Sequence, residues 1–237
     1  MIYQAMKKSR ANSAARRLVE MRSRSEYAIA IVNLIEENEV PHLPLNIDVR
    51  GMTVLVVGGG AVAGRKIKSL LDAEATVTVV APELSPEIAR LAAAGAITVK
   101  TGCYQAIDLA GVFLAVAATN DPGTNRRIAA DARQRGILVA VTDEPGSGNC
   151  TFTALLRRGD LEVSVSTNGR CPGFAATVRD QIATVIGQEY GLILATLAAE
   201  REKLLTEGRH STYNNKILRS RARELINELT EHKDRVP

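Results

Sequence analysis

The sequence predicts an α/β fold: a Rossmann-like, doubly wound parallel sheet, then a small α+β dimerisation region and a C-terminal helical tail. Three observations predict it. Short β-branched apolar runs alternate with longer helix-like stretches from Met52 to Thr142, the rhythm of βαβ units. The first run, Val54-Leu55-Val56-Val57, breaks into Gly58-Gly59-Gly60 and then into small residues able to open a helix. The alternation stops after Asp143, where Glu144–Asn149 (EPGSGN) leads into a hairpin pattern.

In order, Met52–Val57 reads as the first strand and Val62–Ala73 as a helix with apolar Ile67, Leu70 and Leu71. Thr76–Ala81 is a second strand, β-branched almost throughout. Ser85–Ala94 reads as a helix with Ser85 as N-cap and Glu87 in its first turn. Ile97–Lys100 and Val112–Ala118 are strands, the second ending at Thr119-Asn120-Asp121-Pro122. Thr124–Arg135 is a helix closed by Gly136, and Ile137–Thr142 a further strand ending at Asp143. Beyond the break, Thr151–Leu156 and Leu161–Thr167 are expected as antiparallel strands around a turn at Arg157-Arg158-Gly159-Asp160. LEVSVST alternates as a half-solvated strand does. A helix over Phe174–Ile186 follows. Leu192–Glu231 reads as helical and charged, with breaks near Gly208 and Asn214-Asn215. Two strands and one helix make a poor independent core, so this part is expected to complete itself against a second copy of the chain.

The expected organisation is a helical or loosely ordered extension over 1–42, the nucleotide-binding domain over 43–150, the dimerisation hairpin and helix over 151–190, and a helical region over 191–237. Hydrophobic content of 46% with 24% charged residues suits a globular chain of 237 residues. Aromatics make up only 3%, so the core must be aliphatic. The net charge of +4 favours an anionic partner. No aromatic residues are interleaved with the basic clusters at the two ends, which argues against nucleic acid. No apolar run is long enough to span a bilayer, so no membrane partner is expected. Cys103, Cys150 and Cys171 are scattered and form no C-x-x-C, which points to a reducing compartment, the cytoplasm. His42, His210 and His232 cluster with nothing, and no metal site is expected.

Ligands of open parallel sheets bind beyond the carboxyl ends of the strands. Gly58-x-Gly60-x-x-Ala63 fits the dinucleotide fingerprint: Gly58 for the tight turn, Gly60 for phosphate approach and Ala63 for helix–strand packing. An acid that would hold the adenosine ribose arrives late, at Glu83 after Pro82, and no arginine follows to receive a 2′-phosphate. NAD is therefore expected over NADP. Thr119 and Asn120, at another strand end, are further candidate cofactor contacts. Asp143 is the candidate catalytic carboxylate: it ends an apolar strand at the ligand edge, before a flexible segment. The plainer role for it is to cap the turn to Gly146. Asp121 reads as the N-cap of an ordinary Asp-Pro turn.

Four stretches in order then resemble the precorrin-2 dehydrogenase/sirohydrochlorin ferrochelatase family, the N-terminal module of siroheme synthases. They are VLVVGGGAVAGRK, VTVVAPEL, FLAVAATNDPGTNRRIAADAR and ILVAVTDEPGSGNCTFTALLRRGDLEVSVSTNGRCPGFA. The resemblance covers roughly Leu43 to Ile186. It implies a homodimer that oxidises precorrin-2 to sirohydrochlorin with NAD, and in many members inserts Fe(II) to give siroheme. It implies phosphate-turn contacts at Ala61 and Val62, adenosine-side contacts at Pro82 and Glu83, and a shared dehydrogenase and chelatase carboxylate at Asp143. Cys171 stands where the family usually has Ser, and Thr167 where some members carry a phosphorylatable Ser. From a different class, the same residues also allow a non-catalytic, NAD-sensing dimeric module.

Overall fold

The computed structural model describes residues 42–206 and 211–233. The expected N-terminal extension, apart from His42, and the expected break at Gly208 lie outside them. The chain divides into two compact units, 1–46 and 47–237, and the fold below is that of the second.

Its centre is a five-stranded, all-parallel sheet in the order β3-β2-β1-β4-β5. The strands are β1 (Thr53–Val57), β2 (Thr76–Ala81), β3 (Thr98–Thr101), β4 (Leu114–Ala117) and β5 (Leu138–Val141). Three helices connect them: α1 (Ala61–Leu71), α2 (Pro86–Ala93) and α3 (Pro122–Gln134), and a 3₁₀ turn (Ala106–Leu109) precedes β4. The winding reverses between β1 and β4, which pair in register from Val54↔Leu114 to Val57↔Ala117. This is the topological switch point, where doubly wound sheets open a crevice for ligand.

Alternation along β1 makes the sheet two-sided. Val54 and Val56 enter a core with Ile67 of α1, Val77 and Val79 of β2, and Ile88 of α2. Leu55 and Val57 enter the opposite core with Tyr104, Leu109, Ile128 of α3 and Val139. Side chains one residue apart leave the sheet on opposite faces, so a fully buried strand must be apolar throughout. Each buried Val, Leu or Ile contributes about 1.5–3 kcal/mol, which is why the helix-covered sheet, and not its exposed turns, carries the stability.

The antiparallel part pairs β6 (Ala154–Arg158) with β7 (Leu161–Val165). Here the turn is shorter than expected: Arg157 and Arg158 belong to the strand, and only Gly159-Asp160 connects. Both arginines find partners that make an extended strand acceptable. Arg157 lies opposite Glu162 in register, with its Nε donating to Oε1 at 2.7 Å. Arg158 Nε donates to the carbonyl of Ile186 at 2.9 Å. Gly159, at φ 58, supplies the positive φ that a two-residue turn with glycine in first place needs. Along β7 half-buried Leu161, Val163 and Val165 alternate with exposed Glu162 and Ser164, as the sequence predicts. Helices α4 (Pro172–Val185) and α5 (Glu189–Thr206) both pack on the hairpin, and α6 (Ser211–Lys233) packs on α5. α6 runs through Asn214-Asn215, where a break was expected. Asparagine inside a helix costs well under about 1 kcal/mol, and half-buried Ile217 and Leu218 follow directly.

Candidate active site at the switch point

The carboxyl ends of β1, β2, β4 and β5 are joined by a chain of contacts. At β1, Gly58 has φ 130, and a Cβ on it would drive into the carbonyl of Ala118 at the end of β4. A Cβ on Gly59 would drive into the carbonyl of Glu83 at the end of β2. The Gly59 carbonyl in turn accepts from Ser85 N–H at 2.8 Å. The first two glycines are thus demanded by the protein's own packing. Gly60 is different: its φ of −90 is ordinary and a Cβ would meet nothing within 4 Å.

Gly60 is the N-cap of α1, and no side chain caps that helix or places an acid in its first turn. Ala61 and Val62 are exposed on that turn, while Ala63 is fully buried against the sheet. An uncapped helix N-terminus over a glycine turn is electropositive and presents N–H groups to an anion. Pro82 and Glu83 are exposed beside it. Ser85 caps α2, its Oγ accepting from Ile88 N–H at 3.4 Å, as expected. Lys66 lies with its Nζ 4.2 Å from the Phe152 ring centre, and burial lowers its pKa. It tethers α1 to the irregular segment before β6, which starts at Ala154 and not at Thr151 as expected.

At β4, Asp121 caps α3 as expected. Its carboxylate accepts from Thr124 Oγ1 at 2.6 Å, Thr124 N–H at 2.9 Å and Gly123 N–H at 3.1 Å. These bonds, the Thr124 hydroxyl first, lower its pKa. Asn120 is exposed, and Thr119 is half-buried with its polar groups engaged within the turn. Thr119 Oγ1 donates to Asn125 Oδ1 at 2.7 Å and accepts from Asp121 N–H at 3.2 Å.

Asp143 is exposed at the end of β5. Its Oδ1 accepts from Asn125 Nδ2 at 2.8 Å, so its carboxylate is held from α3 and does not turn back to cap Gly146. Behind it, Asn149 mimics a strand partner: its Oδ1 accepts from Val139 N–H at 2.7 Å and its Nδ2 donates to the Ile137 carbonyl at 3.2 Å. Across the loop, Gly169, at φ 77, packs on Pro145 and brings the 168–172 corner to the Asp143 segment. Cys150 is no nucleophile: burial pushes its thiol up to about 11.

The site therefore gathers Gly58, Gly60, Ala61, Val62, Pro82, Glu83, Thr119, Asn120 and Asp143 along one edge of the sheet. Sequence reasoning missed two residues there. Gly59 is required by a loop far away in sequence. Asn125 is the one polar residue among the described residues that is fully buried.

A parallel sheet with a bare glycine turn and an uncapped helix N-terminus at its switch point places the chain in the dinucleotide-binding class of doubly wound folds. Comparison with known proteins narrows the class. A family model described as putative NAD(P)-binding matches residues 45–154. A siroheme synthase of Pseudomonas putida (strain W619) is 42% identical over 163 residues, 69% of this chain and 35% of that protein. A siroheme synthase of Chromobacterium violaceum is 43% identical over 148 residues, 62% of this chain and 32% of that protein. The solved structure of SirC, precorrin-2 dehydrogenase, superposes with a TM-score of 0.63 at 27% identity, covering 80% of this chain and 99% of that one. Over the matched residues the chain is thus similar in sequence to siroheme synthases and in sequence and fold to SirC, precorrin-2 dehydrogenase. It spans about a third of the length of the curated siroheme synthases it matches. No single helix among the described residues is long and apolar enough to cross a membrane.

Proposed function

We propose that this chain is a cytoplasmic, homodimeric precorrin-2 dehydrogenase that forms sirohydrochlorin with NAD. The observation that carries the reading is the position of Asp143, exposed at the end of β5, two strands along the sheet from the glycine turn. Bound NAD would accept the hydride. The residues fit such a ligand, because Gly60 is bare where nothing in the protein requires it to be. The N–H groups of Gly60, Ala61 and Val62 would hold the pyrophosphate, Pro82 and Glu83 the adenosine side, and Asn120 would border the nicotinamide side. Asp143, as general base, would take the proton that leaves the substrate carbon. Ferrous iron insertion asks for the same base, since pyrrole N–H groups lose protons as a metal enters.

Asp143→Ala is expected to lower the rate of NAD reduction by precorrin-2 about a hundredfold or more, the scale of a lost general base, while NAD binding persists. An unchanged rate would remove Asp143 from the mechanism. NAD binding without turnover in the unaltered protein would make the chain a nucleotide sensor. Adding Fe(II) after oxidation, followed optically, reads metal insertion separately in the same vessel.

A further inference from the structure

We propose that Asn125 is the positioning residue that fixes the Asp143 carboxylate for catalysis. The proposal rests on the reading of Asp143 as the base. Asn125 lies in the first turns of α3 and is 0% exposed, yet every hydrogen-bonding group of its side chain is engaged. Its Oδ1 accepts from Thr119 N–H at 3.2 Å and from Thr119 Oγ1 at 2.7 Å. Its Nδ2 donates to the Thr119 carbonyl at 3.1 Å and to Asp143 Oδ1 at 2.8 Å.

The amide cannot be turned over. The Thr119 backbone N–H is only a donor and its carbonyl only an acceptor, so these two contacts fix which end of the amide is oxygen. The face toward Asp143 is therefore always an N–H. A donor to one carboxylate oxygen stabilises the charged form and orients the group. Oδ1 is occupied from within the protein, which leaves Oδ2 as the oxygen that would receive the substrate proton. Asn125 thus links the end of β4, where the cofactor is expected, to the base at the end of β5. A buried amide with all its partners in place is costly to build and rigid once built.

Two roles remain to be told apart: orienting Asp143, or merely bracing the Thr119 turn. A double-mutant cycle separates them. Single-turnover oxidation of precorrin-2, with enzyme in excess so that slow variants are readable, is measured for Asn125→Ala, Asp143→Ala and the pair. Asn125→Ala is expected to lower the chemical rate about ten- to a hundredfold, the worth of a hydrogen bond to a charged group. Its KM for NAD should stay within about twofold. In the Asp143→Ala background the same substitution should cost less than about twofold, because the group it acts through is gone. An equal loss in both backgrounds, or a loss confined to the KM for NAD, overturns the proposal. A wild-type rate for Asp143→Ala alone would instead sink the reading of Asp143 as the base. Should Asn125→Ala fail to fold, Thr119→Val carries the same cycle. It removes the hydroxyl that holds Oδ1 and that also accepts from Asp121 N–H, with an expected loss of about two- to tenfold whose part acting through Asn125 vanishes without Asp143.

Discussion

At the scale of single residues, the three glycines of the nucleotide turn do three different jobs, and the differences can be measured. Gly58 combines a positive φ with close approach to β4, and Gly59 makes a close approach to β2 at an ordinary φ. Gly60 has neither constraint. Gly59→Ala must push the Glu83 carbonyl aside and is expected to destabilise the fold by about 2–3 kcal/mol, as overpacking does. Gly60→Ala should leave the denaturation midpoint nearly unchanged and raise the KM for NAD about tenfold or more, since a methyl group would stand where the pyrophosphate is expected. Equilibrium denaturation and NAD kinetics on the two variants check both halves. A Gly60→Ala protein that binds NAD normally would move the phosphate site off this helix. The fingerprint made Gly58 and Gly60 legible in the sequence. Gly59 was not, because its requirement comes from a carbonyl more than twenty residues away, brought near only when β2 lies beside β1. Asn125 was hidden for a similar reason. In sequence it is one more polar residue after an Asp-Pro turn, and it becomes a buried bridge only because β4 and β5 pair.

At the scale of elements, the parallel sheet was readable because each strand is buried on both faces, and its apolar runs have no other use in a chain of this composition. The hairpin was readable in kind but not in extent. Arg157 and Arg158 look like turn residues until Glu162 and the Ile186 carbonyl supply their partners. The same hairpin explains how α5 docks. A Cβ on Gly191, in the first turn of α5, would lie 2.5 Å from the Arg158 carbonyl, and the α carbon of Gly191 lies 3.7 Å from where a Cβ on Gly159 would sit. Helix and hairpin turn meet backbone to backbone, with no room for a side chain. Gly191→Ala should therefore cost about 1–3 kcal/mol of overpacking and loosen α5 from β6. Limited proteolysis should then cut within α5 or just before it, while the fragment bearing the sheet survives. Unaltered resistance to cleavage would show that the contact can yield without cost.

At the scale of the whole molecule, burial is unevenly divided along the chain. Among the described residues, the parallel sheet and its helices hold nearly all the buried apolar side chains, whereas the hairpin and α4 contribute only Leu156 and Ala175, and α5 contributes none. In compensation, large apolar side chains stand in water there: Phe174 is 60% exposed, Val185 64% and Leu192 72%. A two-stranded hairpin with so little core is marginal by itself, and exposed apolar surface of this kind marks an interface. A second copy of the chain is the occupant we propose, because a two-fold interface would bury each of these side chains twice. That doubling makes the test sensitive. Replacing Val185 and Leu192 together by glutamate places four carboxylates in a symmetric interface, each like-charged pair costing several kcal/mol if desolvated. By light scattering after size exclusion, the unaltered protein should have the mass of a dimer and the double variant the mass of a monomer. The variant should also lose precorrin-2 oxidation if the partner helps close the site at the 168–172 corner. A monomeric mass for the unaltered chain would refute the homodimer. An unchanged dimer in the variant would place the interface elsewhere on the molecule.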